Sequence, residues 1–124
     1  MTKMLFIMLG GSIGALCRWS VSLLAARLFG TGFPWGTLAV NLTGCFLIGF
    51  CFSLAERSAF MGPSVRLFFV TGFLGALTTF STYGIETVQS LRTGAYMTAA
   101  LNFLSNNIGG LALALLGLWV GRIR

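Results

Sequence analysis

Four long apolar stretches run along the chain, interrupted only by isolated polar side chains: residues 4–29, 37–55, 66–91 and 96–120. A helix needs about 20 mostly apolar residues to cross the hydrocarbon of a bilayer, and each stretch is near or above that length. Between them lie the residues that end helices: Gly30-Thr31-Gly32-Phe33-Pro34, then residues 56–63, then Arg92-Thr93-Gly94. Proline lacks an amide proton and glycine adds backbone freedom, so neither suits a helix interior. The pattern predicts an all-α membrane protein of four transmembrane helices. Its connections are too short to fold on their own, so residues 1–124 form a single transmembrane domain.

Composition sharpens this picture. Apolar residues make up 56% of the chain and charged residues only 8%, whereas a soluble domain carries about 25% charged residues. There is too little charge to cover a water-facing surface, so the bilayer is the solvent for most of the chain. The charge present is mostly basic, eight Lys or Arg against Glu56 and Glu86, for a net charge of +6. Lys3, Arg57, Arg66, Arg92, Arg122 and Arg124 stand at the ends of apolar runs, where basic side chains meet lipid headgroups. That placement argues for membrane anchoring and against a nucleic-acid surface. With the amino terminus in the cytoplasm, Lys3, Arg57, Arg66, Arg122 and Arg124 lie inside and Arg27 and Arg92 outside. So mild a positive-inside bias permits insertion in both orientations. The first stretch is too long for the apolar core of a signal peptide, and Arg18 interrupts it.

The chain has no His and no Asp, which removes most metal, triad and acid–base sites. Cys17, Cys45 and Cys51 are odd in number and fall inside apolar runs; they read as small buried hydrophobes, not as disulfides or metal ligands. Enzymatic function is not expected. Gly10 and Gly14, and Gly117 and Gly121, form small-xxx-small pairs that let helices approach closely, within one subunit or between two. Four helices enclose little space, so a transport pathway would call for an oligomer.

Polar groups at bilayer depth are costly and usually face a protein interior or a pathway. Arg18 in the first stretch either snorkels to an interface or places positive charge in a watery vestibule. Thr37 and Asn41 are four residues apart and share a helix face. Asn41 suits a bond to a neighbouring helix or the coordination of an anion. In Gly75-Ala76-Leu77-Thr78-Thr79-Phe80-Ser81-Thr82-Tyr83-Gly84-Ile85-Glu86, clustered hydroxyls compete for backbone bonds, and the third helix is expected to break near its middle. Carbonyls freed there are tolerated only inside protein or against an ion or water. Downstream, helical spacing puts Thr78, Thr82 and Glu86 on one face, with Phe80 and Tyr83 on an adjacent one. In the fourth stretch Asn102, Ser105, Asn106 and Gly109 share a face and Asn107 points elsewhere. Neutral donors and aromatic rings with positive edges, against a single embedded carboxylate, favour an anion pathway over a cation pathway.

Three segments carry a resemblance. Gly10-Gly11-Ser12-Ile13-Gly14-Ala15-Leu16-Cys17-Arg18-Trp19, Gly36-Thr37-Leu38-Ala39-Val40-Asn41, and Gly75-Ala76-Leu77-Thr78-Thr79-Phe80-Ser81-Thr82-Tyr83 closely resemble the CrcB/Fluc fluoride channels of microbes, in order and at the expected spacing along the whole chain. The resemblance implies a multi-pass protein of the plasma (inner) membrane and an antiparallel, dual-topology homodimer. Each dimer would have two pores that pass fluoride passively out of the cell and relieve its toxicity. It places Phe80 at the first position of a phenylalanine box whose ring edges face fluoride. Tyr83 stands where the second Phe usually stands, adding a hydroxyl that the pore must accommodate. Asn41 matches the pore asparagine with Thr37 one turn before it, and Ser81, Thr82 and Glu86 match a polar track. Arg18 matches the vestibule arginine. A structural sodium ion on the two-fold axis is implied at the helix break, held by carbonyls of Gly75 and Thr78 from both subunits. The fourth helix departs most from the family; Ser105 and Asn106 are carried forward as its pore residues. A partner subunit of opposite orientation is a second possibility left by the charge bias.

Two other readings differ in what they need. A small multidrug exporter has four helices and similar length but requires a carboxylate in its first membrane helix, where this chain has Arg18 and no Glu. A non-transporting assembly subunit would use Asn41 and Phe80 for packing alone, and their substitution would leave ion flux unchanged.

Overall fold

The structure, a computed structural model, describes residues 1–57 and 62–123. Among these it is all helical. Four helical segments are long and apolar enough to span a membrane: Thr2–Phe29, Trp35–Glu56, Pro63–Arg92 and Tyr96–Ile123. The first is α1 (Thr2–Phe29) and the second α2 (Trp35–Arg57). The third comprises α3 (residues 63–77) and α4 (Phe80–Arg92), and the fourth is α5 (Tyr96–Ile123).

The connections use the residues expected of them. Gly30 and Gly94 hold positive φ of 75° and 77°, which an L side chain rarely adopts. Pro63 opens α3, where its missing amide proton would be unpaired in any case. Phe29 and Phe33 pack on Trp35 at ring separations of 5.9 and 4.7 Å, an aromatic cluster suited to the membrane–water boundary. The expected second connection, residues 56–63, lies partly outside the described residues, as does Arg124.

Helix packing rests on glycines. α1 lies against α3, and a methyl added at Gly10 or Gly14 would collide with the carbonyls of Phe68 or Phe73. α2 lies along the second half of α5, where a methyl at Gly117 would meet the Phe46 carbonyl and one at Gly49 the Ala114 carbonyl. Both small-xxx-small pairs therefore work within one subunit. Over Leu67–Leu74 and again over Ser105–Gly109 the helices widen into π-helical turns, in which amides bond five residues back. A small apolar core of Val40, Leu74 and Leu77, flanked by Cys17, Val21, Leu47, Ile48, Phe69 and Phe73, joins α1, α2 and α3. Its members Val40 and Leu77 directly precede the polar residues Asn41 and Thr78 in the chain. Cys17, Cys45 and Cys51 are free thiols.

Candidate functional site

The polar residues of α2, α4 and α5 converge where α3 gives way to α4. The helix runs to Leu77; Thr78 (φ −82°, ψ 157°) and Thr79 (φ −152°, ψ 121°) are extended, and helix resumes at Phe80. Thr79 caps α4, its hydroxyl accepting the Thr82 amide at 3.2 Å; Thr is a favoured cap because its oxygen satisfies an otherwise unpaired amide.

Asn41 on α2 clamps this junction. Its Oδ1 accepts the Thr79 amide at 2.8 Å, and its Nδ2 donates to the Thr79 carbonyl at 3.1 Å. In an unbroken helix the Thr79 amide would bond the carbonyl of Gly75; here that carbonyl loses this partner to Asn41. The second Nδ2 proton goes to Asn106 Oδ1 at 2.8 Å. Asn106 in turn donates to the carbonyl and side-chain oxygen of Asn102 at 3.0 and 2.9 Å. Asn102 is wholly buried and donates to Thr87 Oγ1 at 2.9 Å. Both side-chain amide protons of Asn41 are thus engaged, in a network that ties α2, α4 and α5 together.

Two cavities flank the clamp. A groove of about 370 Å³ is lined by Asn41, Gly75, Thr78, Phe80, Tyr83 and Asn106, among others. Phe80 and Tyr83 meet edge to face, with centroids 5.5 Å apart and planes at 64°. Tyr83 is buried, whereas Phe80 is 82% exposed in one copy of the chain. A wider mouth of about 820 Å³ is lined by Thr37, Thr82, Glu86, Gln89 and Arg92, among others. There the Thr37 hydroxyl donates to Glu86 Oε1 at 2.7 Å, while Glu86 Oε2 is buried without a partner among the described residues.

The structure brings together Asn41, Phe80, Tyr83, Asn106, Gly75 and Thr78 at the groove, and Thr37, Thr82 and Glu86 at the mouth. Arg18, Ser81 and Ser105 line neither of these two cavities within one copy. Helical spacing put Thr78 on the face of Thr82 and Glu86; the extended residues shift it to the groove, where its hydroxyl bonds the Leu74 carbonyl at 3.0 Å. Spacing also turned Asn107 away and favoured Ser105. Instead Asn107 donates to Tyr83 Oη at 2.8 Å and lines the groove. The wide turn over Ser105–Gly109 rotates each residue less than the roughly 100° of an α-helix, so neighbouring Asn106 and Asn107 both line the groove, Asn106 bonded to Asn41 and Asn107 to Tyr83. Thr79 and Asn102 stand in polar stretches that the sequence marks but are not among the expected site residues, and Thr87 is not marked at all. A Thr before a fresh helical run is the signal that marks Thr79; nothing local marks Thr87.

A family model described as CrcB-like protein, Camphor Resistance (CrcB), matches residues 5–118. The chain belongs to the CrcB family. Relatives align along almost its whole length. A protein named fluoride-specific ion channel FluC from Shewanella amazonensis is 50% identical over 94% of each chain. One of the same name from Geobacter sp. (strain M21) is 44% identical over 98% of each. A third, from Salinibacter ruber, is 48% identical over 94% of this chain and 87% of its own. A multi-pass membrane protein of the CrcB family, rather than an enzyme, accounts for four apolar spans with polar groups gathered between them.

Proposed function

We propose that this CrcB-family chain is a fluoride-selective passive ion channel that releases cytoplasmic fluoride across the plasma (inner) membrane and so protects against its toxicity. The observation that carries the reading is similarity, along nearly the full chain, to proteins named fluoride-specific ion channels. The groove supports it: amide and hydroxyl donors and the positive edges of aromatic rings line it, suited to a small, strongly accepting anion that must shed water. Fluoride passing Asn41 competes with Asn106 Oδ1 for an amide proton, so the ion exchanges one bond for another instead of facing a bare barrier. Phe80 and Tyr83 offer ring edges, and Thr37, Ser81, Thr82 and Glu86 lead on towards the mouth. Arg18 raises anion concentration near one entrance, and Asn106 and Asn107 form the fourth-helix wall of the groove.

The working unit is an antiparallel homodimer of dual topology. Asn41, Thr79 and Asn106 face an open groove beside an 82% exposed Phe80, and polar groups at membrane depth need a protein lid. A second copy supplies that lid, and a two-fold pair of grooves gives two pores. The break in the third span also bears on the implied sodium ion. Gly75 and Thr78 line the groove, and the Gly75 carbonyl is deprived of its helical amide. Among the described residues no cluster of His, Cys, Asp or Glu suits a metal, so neutral carbonyls are the available ligands, a fit for a hard monovalent cation. Gly75 and Thr78 from both subunits would hold it, and its charge would stabilise the paired breaks.

Liposomes loaded with fluoride and containing the purified protein test this with an ion-selective electrode. Rapid fluoride release with chloride retained is expected. Intact folded dimers that release neither ion refute the homodimeric channel.

A further inference from the structure

Tyr83 brings a phenol oxygen to a wall where an anion would meet its lone pairs, and Asn107 disposes of it. The Asn107 Nδ2 lies 2.8 Å from the Phe103 carbonyl and 2.8 Å from Tyr83 Oη. The carbonyl only accepts, which puts the NH2 group, not the side-chain oxygen, on this side of the amide. Both amide protons are thereby assigned, one to Phe103 and one to the phenol. Tyr83 Oη is an acceptor in this contact, so a lone pair faces Asn107, and its own proton remains directed elsewhere. The ring is held edge-on to Phe80 at 64°, and burial of Tyr83 leaves it little freedom to turn.

From this geometry we infer that Asn107 is a positioning residue for Tyr83: it occupies a lone pair of the phenol oxygen with an amide donor and holds the ring, so that tyrosine serves as an aromatic-edge donor in the groove. The inference rests on the channel reading above. Without Asn107 the phenol must seek a partner among the polar groups of the groove. Asn41 and Asn106 are among these, and even a small tilt of the ring towards them moves its edge off the ion.

Four proteins in liposomes decide it: wild type, Asn107→Leu, Tyr83→Phe and the double variant, each first confirmed as a monodisperse species by size exclusion. Loss of one neutral hydrogen bond corresponds to about fivefold in rate. Asn107→Leu is expected to slow fluoride release by about fivefold when Tyr83 is present. In the Tyr83→Phe background it should change release by less than about twofold relative to Tyr83→Phe itself, because no hydroxyl remains to anchor. Asn107→Gln, which keeps an amide donor, should recover part of the loss even if the leucine variant folds poorly. Equal slowing by Asn107→Leu in both backgrounds, or slowing in neither, overturns the inference while leaving the channel intact. A silent wild type overturns the channel reading and this inference with it.

Discussion

Replacing Asn41 by leucine keeps the side chain's approximate size and removes every bond that it makes at the helix break. The Thr79 amide loses its acceptor, the Thr79 carbonyl loses a donor, and Asn106 Oδ1 loses another. Thr79 is buried, so its amide carries the full cost of an unpaired donor, about 1–3 kcal/mol. The two acceptors border the groove, where water can replace the lost partner. Each then costs about the 0.6 kcal/mol typical of side-chain bonds between membrane helices. The total is about 2–4 kcal/mol. At about 4 °C per kcal/mol for a chain of this size, the midpoint of thermal unfolding should fall by about 8–16 °C. Detergent-purified protein heated and then passed over a size-exclusion column reads this directly. Asn41→Asp separates the two roles of the residue. It keeps an acceptor for the Thr79 amide but turns two donors into acceptors and adds negative charge where an anion would pass, so it should abolish fluoride release. Asn41→Leu protein that unfolds within about 2 °C of wild type would refute the clamp.

Phe80→Ile should leave stability within about 0.5 kcal/mol of wild type in a single subunit, because the ring is 82% exposed there. It should nevertheless suppress fluoride release, and retention of full flux in the liposome assay would remove the aromatic edge from the pathway. Gly117→Ala should destabilise by about 1–3 kcal/mol, since its methyl would press on the Phe46 carbonyl. Gly84→Ala, in open space within α4, should be neutral or stabilising by up to about 1 kcal/mol. Paired unfolding midpoints check both. Thr37→Val removes the only hydrogen bond found for the Glu86 carboxylate among the described residues and should slow fluoride release, which flux at fixed pH and fluoride gradient measures.

Span positions were legible because a bilayer imposes a length and because Gly30, Pro34, Pro63 and Gly94 interrupt helix by backbone chemistry alone. Convergence of Asn41 with the Thr78–Thr79 region was not legible: the family resemblance gave Asn41 a pore role and Gly75 and Thr78 a separate ion site, and spacing gave Asn41 and Thr37 a common face without saying what that face meets. In the structure Asn41 meets Thr79, and Thr37, one turn away, meets Glu86. Asn107 was illegible for a different reason. Assigning faces by threes and fours assumes α geometry, and the wide turn over Ser105–Gly109 breaks that assumption at the residues whose faces mattered. The same failure misplaced Thr78, where two extended residues reset the helical phase. Such irregularities depend on contacts with other helices, and single-sequence periodicity does not contain them. The glycine pairs show the converse limit: small-xxx-small spacing announced close approach but not the partner, which proves to be a helix of the same subunit.

Satisfied and open groups divide the surface of the groove in a way that bears on how it works. Asn102, Asn106 and Thr87 spend their donors on one another and on α4, so they hold helices in register and have little left for an ion. Asn41 joins that scaffold but stands at its edge, beside Phe80 and Tyr83, where one bond can be exchanged without unpicking the rest. Phe80 and Gly75 have no such internal employment: the ring is exposed, and the carbonyl has lost its amide. In the proposed channel, a rigid polar frame with its exchangeable members confined to one open face would keep the helices fixed while ions pass. It also means that substitutions deep in the frame should act first on folding, and those at the open face first on flux.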